Sequence, residues 1–538
     1  MIRIKDHKQR EIFDPWAFLS PRRRQLLDES WAGLFQKEIL PVLPVRAIVP
    51  YFDSSFGRPT KELYTVLGIH VLQQTFDFTD QEAIHQFAFN IQWHYALNIT
   101  EESDSAKYIS AKTLWSNRQL IAENGLEALI LDAATKKLAD VFKTDTSSQR
   151  IDSVHIKSNM RRLGRICIFT ETIHKFLVNL KRGHRALFDV VEKRIIEKYF
   201  TEKALGCFSM VRPSESQKTL VDVSKDLHEL IEHFKAVSEV TDMHSYKLMA
   251  RVLNEQCDLA PSDAKEPVKV KKPKEIPSDS LQNPSDPDAS YSGHKGQGYQ
   301  VQVMETFCDD ETVKEQTLNL ITHVHVEPAH NSDANALMPA IESVKEQGLM
   351  PKELLADSLY GGDNNERGAA EKGVELIAPA MGGFKNEEIT LSDFKISEKN
   401  KVIACPRGNA PVRTRTKKQR VSVSFDLEHC KACPQREHCP VKEGKKFFYL
   451  RHTQKALRIA KRRTNEKTDQ FKDRYRWRAG VEATMSEYDR KTGVKRLRVR
   501  GLKAVRFCAV LKAVGVNILR ATAVRAARIA PKEVAYAV

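Results

Sequence analysis

The sequence predicts an α/β protein: a mixed sheet with long helical regions before, within and after it. Three observations predict this. Residues 148–157 alternate apolar and polar side chains, as a half-buried strand does. Strand-like runs recur from Gly298 onward and alternate with helical ones. Residues 1–145 and those from 452 onward follow helical spacing. With 538 residues, 41% of them hydrophobic, the chain suggests three or four units with real cores.

The elements follow in order. In residues 1–145, Gly57-Arg58-Pro59 turns into an apolar-periodic stretch with Leu63, Val66, Leu67 and Val71. Thr79 and Glu82 form a capping box ahead of Ile84, Phe87, Ala88 and Ile91. A third helix is expected near Ser110, with Trp115, Arg118 and Leu120. Such helices permit DNA docking or dimerisation, and equally a plain helical scaffold. The first core strand falls in 148–173, and 174–258 is a helical insert. Residues 259–290 hold Pro261, Pro267, Pro273, Pro277, Pro284 and Pro287 among polar residues, the composition of a flexible linker. Core strands resume in 291–379, at Gly298–Val303, Leu318–Val326, Glu353–Asp357 and Glu375–Ala378. Helices are expected from Asp333 to Gln347 and after Asp363. Residues 380–450 form a Cys-bearing insert, and 451–538 are helical and basic.

The formal charge is +16, from 86 Lys and Arg against 70 Asp and Glu. A positive field favours a polyanionic partner. The densest patch, Arg490 to Arg506, has 8 cations and no acid in 17 positions: Arg490, Lys491, Lys495, Arg496, Arg498, Arg500, Lys503 and Arg506. With Lys461-Arg462-Arg463 it should bind DNA in a salt-sensitive way. The charged residues Met1–Arg10 do not resemble a signal peptide. The most apolar run, Phe507–Leu519, is interrupted by Lys512 and falls short of the ~20 residues that span a bilayer. A cytosolic chain is the expectation.

Two aspartates stand out. Asp152 lies inside a strand pattern, where aspartate is depleted and a buried carboxylate needs a partner or a metal. Asp357 ends the apolar run Leu354-Leu355-Ala356. Ligands gather outside the carboxyl ends of strands in open sheets, so the two could meet at one sheet end. A third acid, Glu482, follows Tyr475 by seven and Arg478 by four, on one helical face. Three carboxylates suit hard Mg²⁺, and phosphodiester transfer uses two such ions about 3.5–4 Å apart. Taken singly, each acid could merely cap a turn or pair with a neighbour.

The blocks RIDSVHIKSNM, LLADSLYGGDNNE and YRWRAGVEATMSEYDRKTGVKRLRVRG resemble the three catalytic blocks of bacterial insertion-sequence transposases of the DDE class. YFDSSFGRPTKELYTVLGIHVLQQTFDFTDQEAIHQFAFN resembles the N-terminal helical domain of one branch, and SDPDASYSGHKGQGYQVQV its second core strand. The resemblance implies a ribonuclease H-like core, Mg²⁺ (with Mn²⁺ as a substitute), and cutting and rejoining of DNA at element ends. It implies Asp152, Asp357 and Glu482 as catalytic and metal-binding residues, and a homodimer or larger assembly on DNA in the bacterial cytoplasm. A nuclease that cuts without joining, and a non-catalytic DNA-binding relic, are the alternatives. Tyr475, Arg478 and Glu482 fit the family's Tyr-x2-Arg-x3-Glu-x6-Lys spacing, but its Lys position is Asp489 here. Arg490, Lys491 or Lys495 could substitute. Asp489 stands as a rival acid, and Glu487 as a weaker one.

Cys405, Cys430, Cys433 and Cys439 give C-x24-C-x2-C-x5-C, with Pro after three of the four. This resembles a small structural Zn²⁺ ribbon, with His429 or His438 as substitute ligands and ordinary free thiols as the alternative. His323, His325 and His330 lie near a strand end as further candidate ligands, and Asn331 to Asp333 read as a helix cap.

Overall fold

The computed structural model describes residues 2–7, 14–53, 55–201, 211–260, 266–382, 389–418 and 420–529. Among the N-terminal elements are α1 (Leu63–Thr75), α2 (Asp80–Phe89), α3 (Ala111–Asn124) and α4 (Glu127–Phe142). The capping box is reciprocal: Thr79 Oγ1 accepts from Glu82 N at 3.3 Å, and Glu82 accepts from Thr79 N at 2.7 Å. Ser110 caps α3, which ends at Gly125 in the left-handed region. Helix α1 is buried on nearly every side, as a helix apolar all round must be.

The central sheet begins with β1 (Ser148–Lys157). A helical insert follows, with α5 (Arg165–Gly183), α6 (Ser216–Phe234) and α7 (His244–Gln256) around a core of its own. The sheet resumes with β2 (Ser290–Ser292), β3 (Gly296–Thr306) and β4 (Ile321–Pro328). After α8 (Leu337–Glu346) come β5 (Glu353–Leu355), α9 (Asp363–Glu371) and β6 (Glu375–Ile377). Strand β3 runs antiparallel to β1 on one edge and to β4 and β2 on the other. Beyond β1, β5 and β6 are parallel to it. The result is one mixed sheet, half hairpin and half crossover.

The Cys-bearing insert contains a second sheet: β7 (Arg413–Lys417), β8 (Arg420–Phe425), β9 (Lys442–Glu443) and β10 (Phe448–Thr453). Its core includes Val421, Val423, Phe425, Phe448 and Leu450. Next are α10 (Gln454–Asn465), α11 (Asp469–Tyr475), α12 (Gly480–Thr492) and α13 (Leu502–Ile529).

Helix α13 corrects the expectation drawn from Phe507–Leu519. It is 28 residues long, enough in length and composition to cross a membrane, yet 78% of its most apolar window is buried within the protein. Its Lys512 is buried and donates to Asp77 and to the Thr492 carbonyl, so the interruption is neutralised by a distant acid. The N-terminal helices, the sheet and α13 share one continuous core.

The Pro-rich stretch is also not the free linker its composition suggests; of it, Pro261 lies outside the described residues. Cys257–Leu259 pairs with Val268–Val270, and Leu281, Asn283 and Asp286 are buried. Asp286 accepts from Tyr299 Oη, Ser158 Oγ and Gly501 N, which satisfies a carboxylate that composition alone would leave in water.

Glu305 of β3 is fully buried and holds the layers together. It accepts from Arg150 of β1 at 2.8 Å, Thr484 of α12 at 2.7 Å and Arg520 of α13 at 2.9 Å. Removing it strands two buried guanidinium groups. Glu305→Ala is therefore expected to lower unfolding free energy by about 3–5 kcal/mol in urea titrations, against roughly 1 kcal/mol for Thr484→Val.

Two buried histidines set an acid limit. His70 of α1 and His323 of β4 are each pushed down to about 3, by burial above all. The folded value lies below the unfolded one of roughly 6.5, so this stability is complete above that pH and is lost as pH falls toward the folded value. Each His is expected to cost about 2 kcal/mol by about pH 5. His70→Gln and His323→Gln should each flatten the fall in urea midpoint between neutral pH and that point.

Candidate active site

Register brings the two aspartates to one sheet end. The parallel ladder of β1 and β5 closes with Arg150 opposite Leu355. Asp152 and Asp357 each lie two residues further on, past the point where β5 leaves the sheet. Asp357 Oδ1 accepts from Leu359 N at 2.8 Å, which starts the turn toward α9. A Cβ on Gly361 would stand 1.9 Å from the Pro379 carbonyl, so only glycine lets this turn close. Arg462 of α10 donates to the Gly361 and Ala378 carbonyls and pairs with Glu366, bracing the loop from outside.

Asp152 is largely buried, and its Oδ2 accepts from Arg478 Nη2 at 2.7 Å. Arg478 Nη1 donates to Glu482 Oε1 at 3.0 Å, so one guanidinium joins two of the three predicted acids. Burial lifts Asp152 above the usual carboxylate range, with Asp357 and Asp333 adding to the rise and Arg478 opposing it. Glu482 itself is mostly exposed.

Tyr475, Arg478 and Glu482 do not share one continuous α-helix. Helix α11 ends at Tyr475, Arg476–Ala479 forms a 3₁₀ turn, and α12 starts at Gly480. Arg150 enforces the turn by donating to the Trp477 carbonyl at 2.7 Å. Gly480 makes room for it, since a Cβ there would lie 2.0 Å from Arg150 Nη1. Tyr475 stacks on Phe471, and burial raises its phenol above the ordinary value, with Asp357 and Asp152 contributing.

Three residues that the sequence did not assign to the site join this cluster. Asp333 is buried, accepts from Gln302 Nε2 at 2.8 Å and faces Lys295 Nζ at 3.5 Å. It does not cap α8, as the sequence suggested, but opens a 3₁₀ turn, and α8 has no side-chain cap. Its signal was present: like Asp357, it follows closely on a strand end. Lys295 also donates to Ser153 Oγ at 2.8 Å. Tyr360 is raised well above its usual value by burial and by Asp333, Asp152 and Asp357.

The rivals turn elsewhere. Asp489 accepts from Lys495 N at 3.0 Å, and Glu487 pairs with Lys491 and Arg520. His330 bonds Ser290, while His323 stacks on His325 and neither bonds the acids among the described residues. The basic segment is less free than its own composition implies, because acids outside it, two of them far away in sequence, meet it. Arg498 pairs with Asp77, Arg506 with Glu127 and Lys495 with Asp489. Arg490, Arg496 and Arg500 are exposed and form no ion pair among the described residues.

Cys405, Cys430, Cys433 and Cys439 line one hollow of about 30 Å³, and burial with the neighbouring thiols pushes Cys430 up to about 11. Among the described residues, no group of three or more His, Cys, Asp or Glu is arranged to hold a metal ion. The expected Zn²⁺ ribbon is therefore unsupported. His429 instead pairs with Asp426.

A family model described as a transposase DDE domain matches residues 404–522, and one described as a transposase domain (DUF772) matches residues 29–120. The first match contains Tyr475, Arg478, Glu482 and the four cysteines, and stops short of Asp152 and Asp357. No curated protein and no solved structure matches. Both matches are to transposase domains, at separate parts of the chain, and make it similar to insertion-sequence transposases of the DDE class.

Proposed function

We propose that this chain cleaves DNA at element ends and joins the freed 3′-hydroxyl to target DNA, using Asp152, Asp357 and Glu482 on a ribonuclease H-like core. One observation carries the reading. Asp152 and Asp357, 205 residues apart by their numbers, extend the same ladder at the same sheet end, and Arg478 links Asp152 to Glu482. A sheet that joins an antiparallel hairpin to parallel strands supports the core assignment.

The donor set fits Mg²⁺ in kind. Its oxygens are hard, and Asp152 carries a charge that burial and two neighbouring aspartates disfavour, which a cation would relieve. Asp152, Asp357 and Glu482 would hold the ions, with Mn²⁺ as a substitute. Bound divalent ions lower the pKa of the attacking hydroxyl and neutralise the leaving oxygen. Arg478 now takes the cation's place between Asp152 and Glu482, so loading requires it to let go of Asp152. Released, its planar fork suits a bidentate grip on phosphate. Tyr475 and Lys295 flank the same sheet end and help to position the strand. Arg490, Arg496 and Arg500, with Lys491, Lys495 and Arg498 once freed from their acids, would hold backbone phosphates.

The N-terminal helices would recognise element ends or pair two copies, since both ends must be held together. The protein would act on DNA in the cytoplasm, on the nucleoid.

A joining assay on a pre-cut end with a free 3′-hydroxyl tests the reaction. Wild type is expected to transfer the strand in Mg²⁺ or Mn²⁺ and to stop when the ions are chelated. Cleavage without transfer would leave a nuclease. Asp152→Asn and Asp357→Asn should each lose about three to four orders of magnitude in rate while still binding DNA. Activity surviving in Asp152→Asn would move the chemistry elsewhere. Glu482→Gln should be as inactive, whereas Asp489→Asn should keep most activity; the reverse would make Asp489 the third acid.

A further inference from the structure

On the insert sheet, register sorts the residues of β7, β8 and β10 into two faces. Inward go Val421, Val423, Phe425, Phe448 and Leu450. Outward, three cross-strand rows form. Arg413 lies opposite Ser424, which lies opposite Tyr449; Arg415 opposite Ser422 and then Arg451; Lys417 opposite Arg420 and then Thr453. This face floors a groove of about 830 Å³. Five cations line it and no carboxylate does. None of the five makes an ion pair among the described residues, in contrast to Arg498 or Lys491.

A bland account is available for β7. It is an edge strand, exposed along its whole length, and charge on an edge discourages pairing with other chains. That account does not cover Arg420 and Arg451, which sit on strands paired on both sides. Five uncompensated cations over one small sheet repel one another and are best relieved by an outside polyanion. Alternate residues on a strand stand about 6.8 Å apart, roughly two steps of the 3.4 Å rise along one DNA strand. The Ser422 hydroxyl lies between Arg415 and Arg451, ready for a phosphate oxygen. Arg451 stands over the Tyr449 ring, which offers a stacking face beside the charges.

We propose that this outer face of the insert sheet is a second DNA-binding surface, gripping the phosphodiester backbone away from the acid cluster. It rests on the reading of the chain as a DNA strand transferase but assigns a separate surface, which neither family description names.

The test is binding of the full chain to a labelled random-sequence duplex over a range of salt. Each lost phosphate contact should reduce the slope of log K against log salt by about 0.9, so Arg413→Gln/Arg415→Gln/Arg451→Gln should lose about 2.7. The matching triple Arg→Lys variant should keep the wild-type slope, which separates lost charge from lost fold. Lys395→Gln/Lys399→Gln/Lys401→Gln, in the separate Lys395–Ile396/Val402–Ala404 hairpin of the insert, should change it far less. If wild type binds and joins DNA while the groove variant keeps its slope, the inference fails and the strand-transferase reading stands. If wild type shows no salt-dependent binding at all, both fail. Equal competition by an acidic polypeptide would overturn DNA as the occupant.

Discussion

The fold hangs on a carboxylate that water cannot reach. Glu305 sits in the middle strand of the hairpin half of the sheet, and its partners come from β1, α12 and α13. A buried charge of this kind is tolerated only when every lone pair is engaged. Its requirement brings the C-terminal helices onto the sheet face. Through Arg150 the effect extends one step further: the guanidinium that answers Glu305 also holds the Trp477 carbonyl and so shapes the 3₁₀ turn that aims Arg478. Stability and the candidate site are thus coupled through one side chain.

The acid cluster follows the opposite logic. Glu305 is surrounded by side-chain donors from three elements, whereas Asp152 is buried beside Asp357 and Asp333 and is met by Arg478 and the Ser153 N–H. Such an imbalance does not stabilise a fold, and strained electrostatics of this sort concentrate where a ligand completes them. Arg478 makes the arrangement tolerable in the free chain, and because it lies on a short turn rather than inside a helix, it can move without unwinding one.

Much of this was legible in the sequence, and the exceptions share a cause. The alternation in 148–157 identified β1, and Thr79 with Glu82 identified the start of α2, because both signals are local. Asp152 and Asp357 were visible as acids in apolar surroundings. What escaped depended on partners far along the chain. Lys512 reads as a break in an apolar run until Asp77 neutralises it, and the Pro-rich stretch reads as a linker until Tyr299 and Ser158 engage Asp286. Asp333 has the residue type of a cap, and only its approach to Gln302 and Lys295 separates it from one. The break at Arg476–Ala479 contains neither Gly nor Pro, so no local rule announces it; Arg150, more than three hundred residues earlier, imposes it.

Distant pairing also changes what the net charge of +16 means. A count along the chain makes Arg490 to Arg506 the basic centre, yet in space Asp77, Glu127, Glu487 and Asp489 neutralise several of its residues. Those cations hold helices together, and a charge spent on an internal pair contributes little to an external field. The field that DNA would meet comes from the cations left over, among them Arg490, Arg496 and Arg500 and the five on the insert sheet. The insert has its own core, so its outer face can carry repulsive charge without straining the main fold. Concentrating unpaired cations on a separately stabilised unit lets the chain keep a strong external field while the core around Glu305 stays balanced.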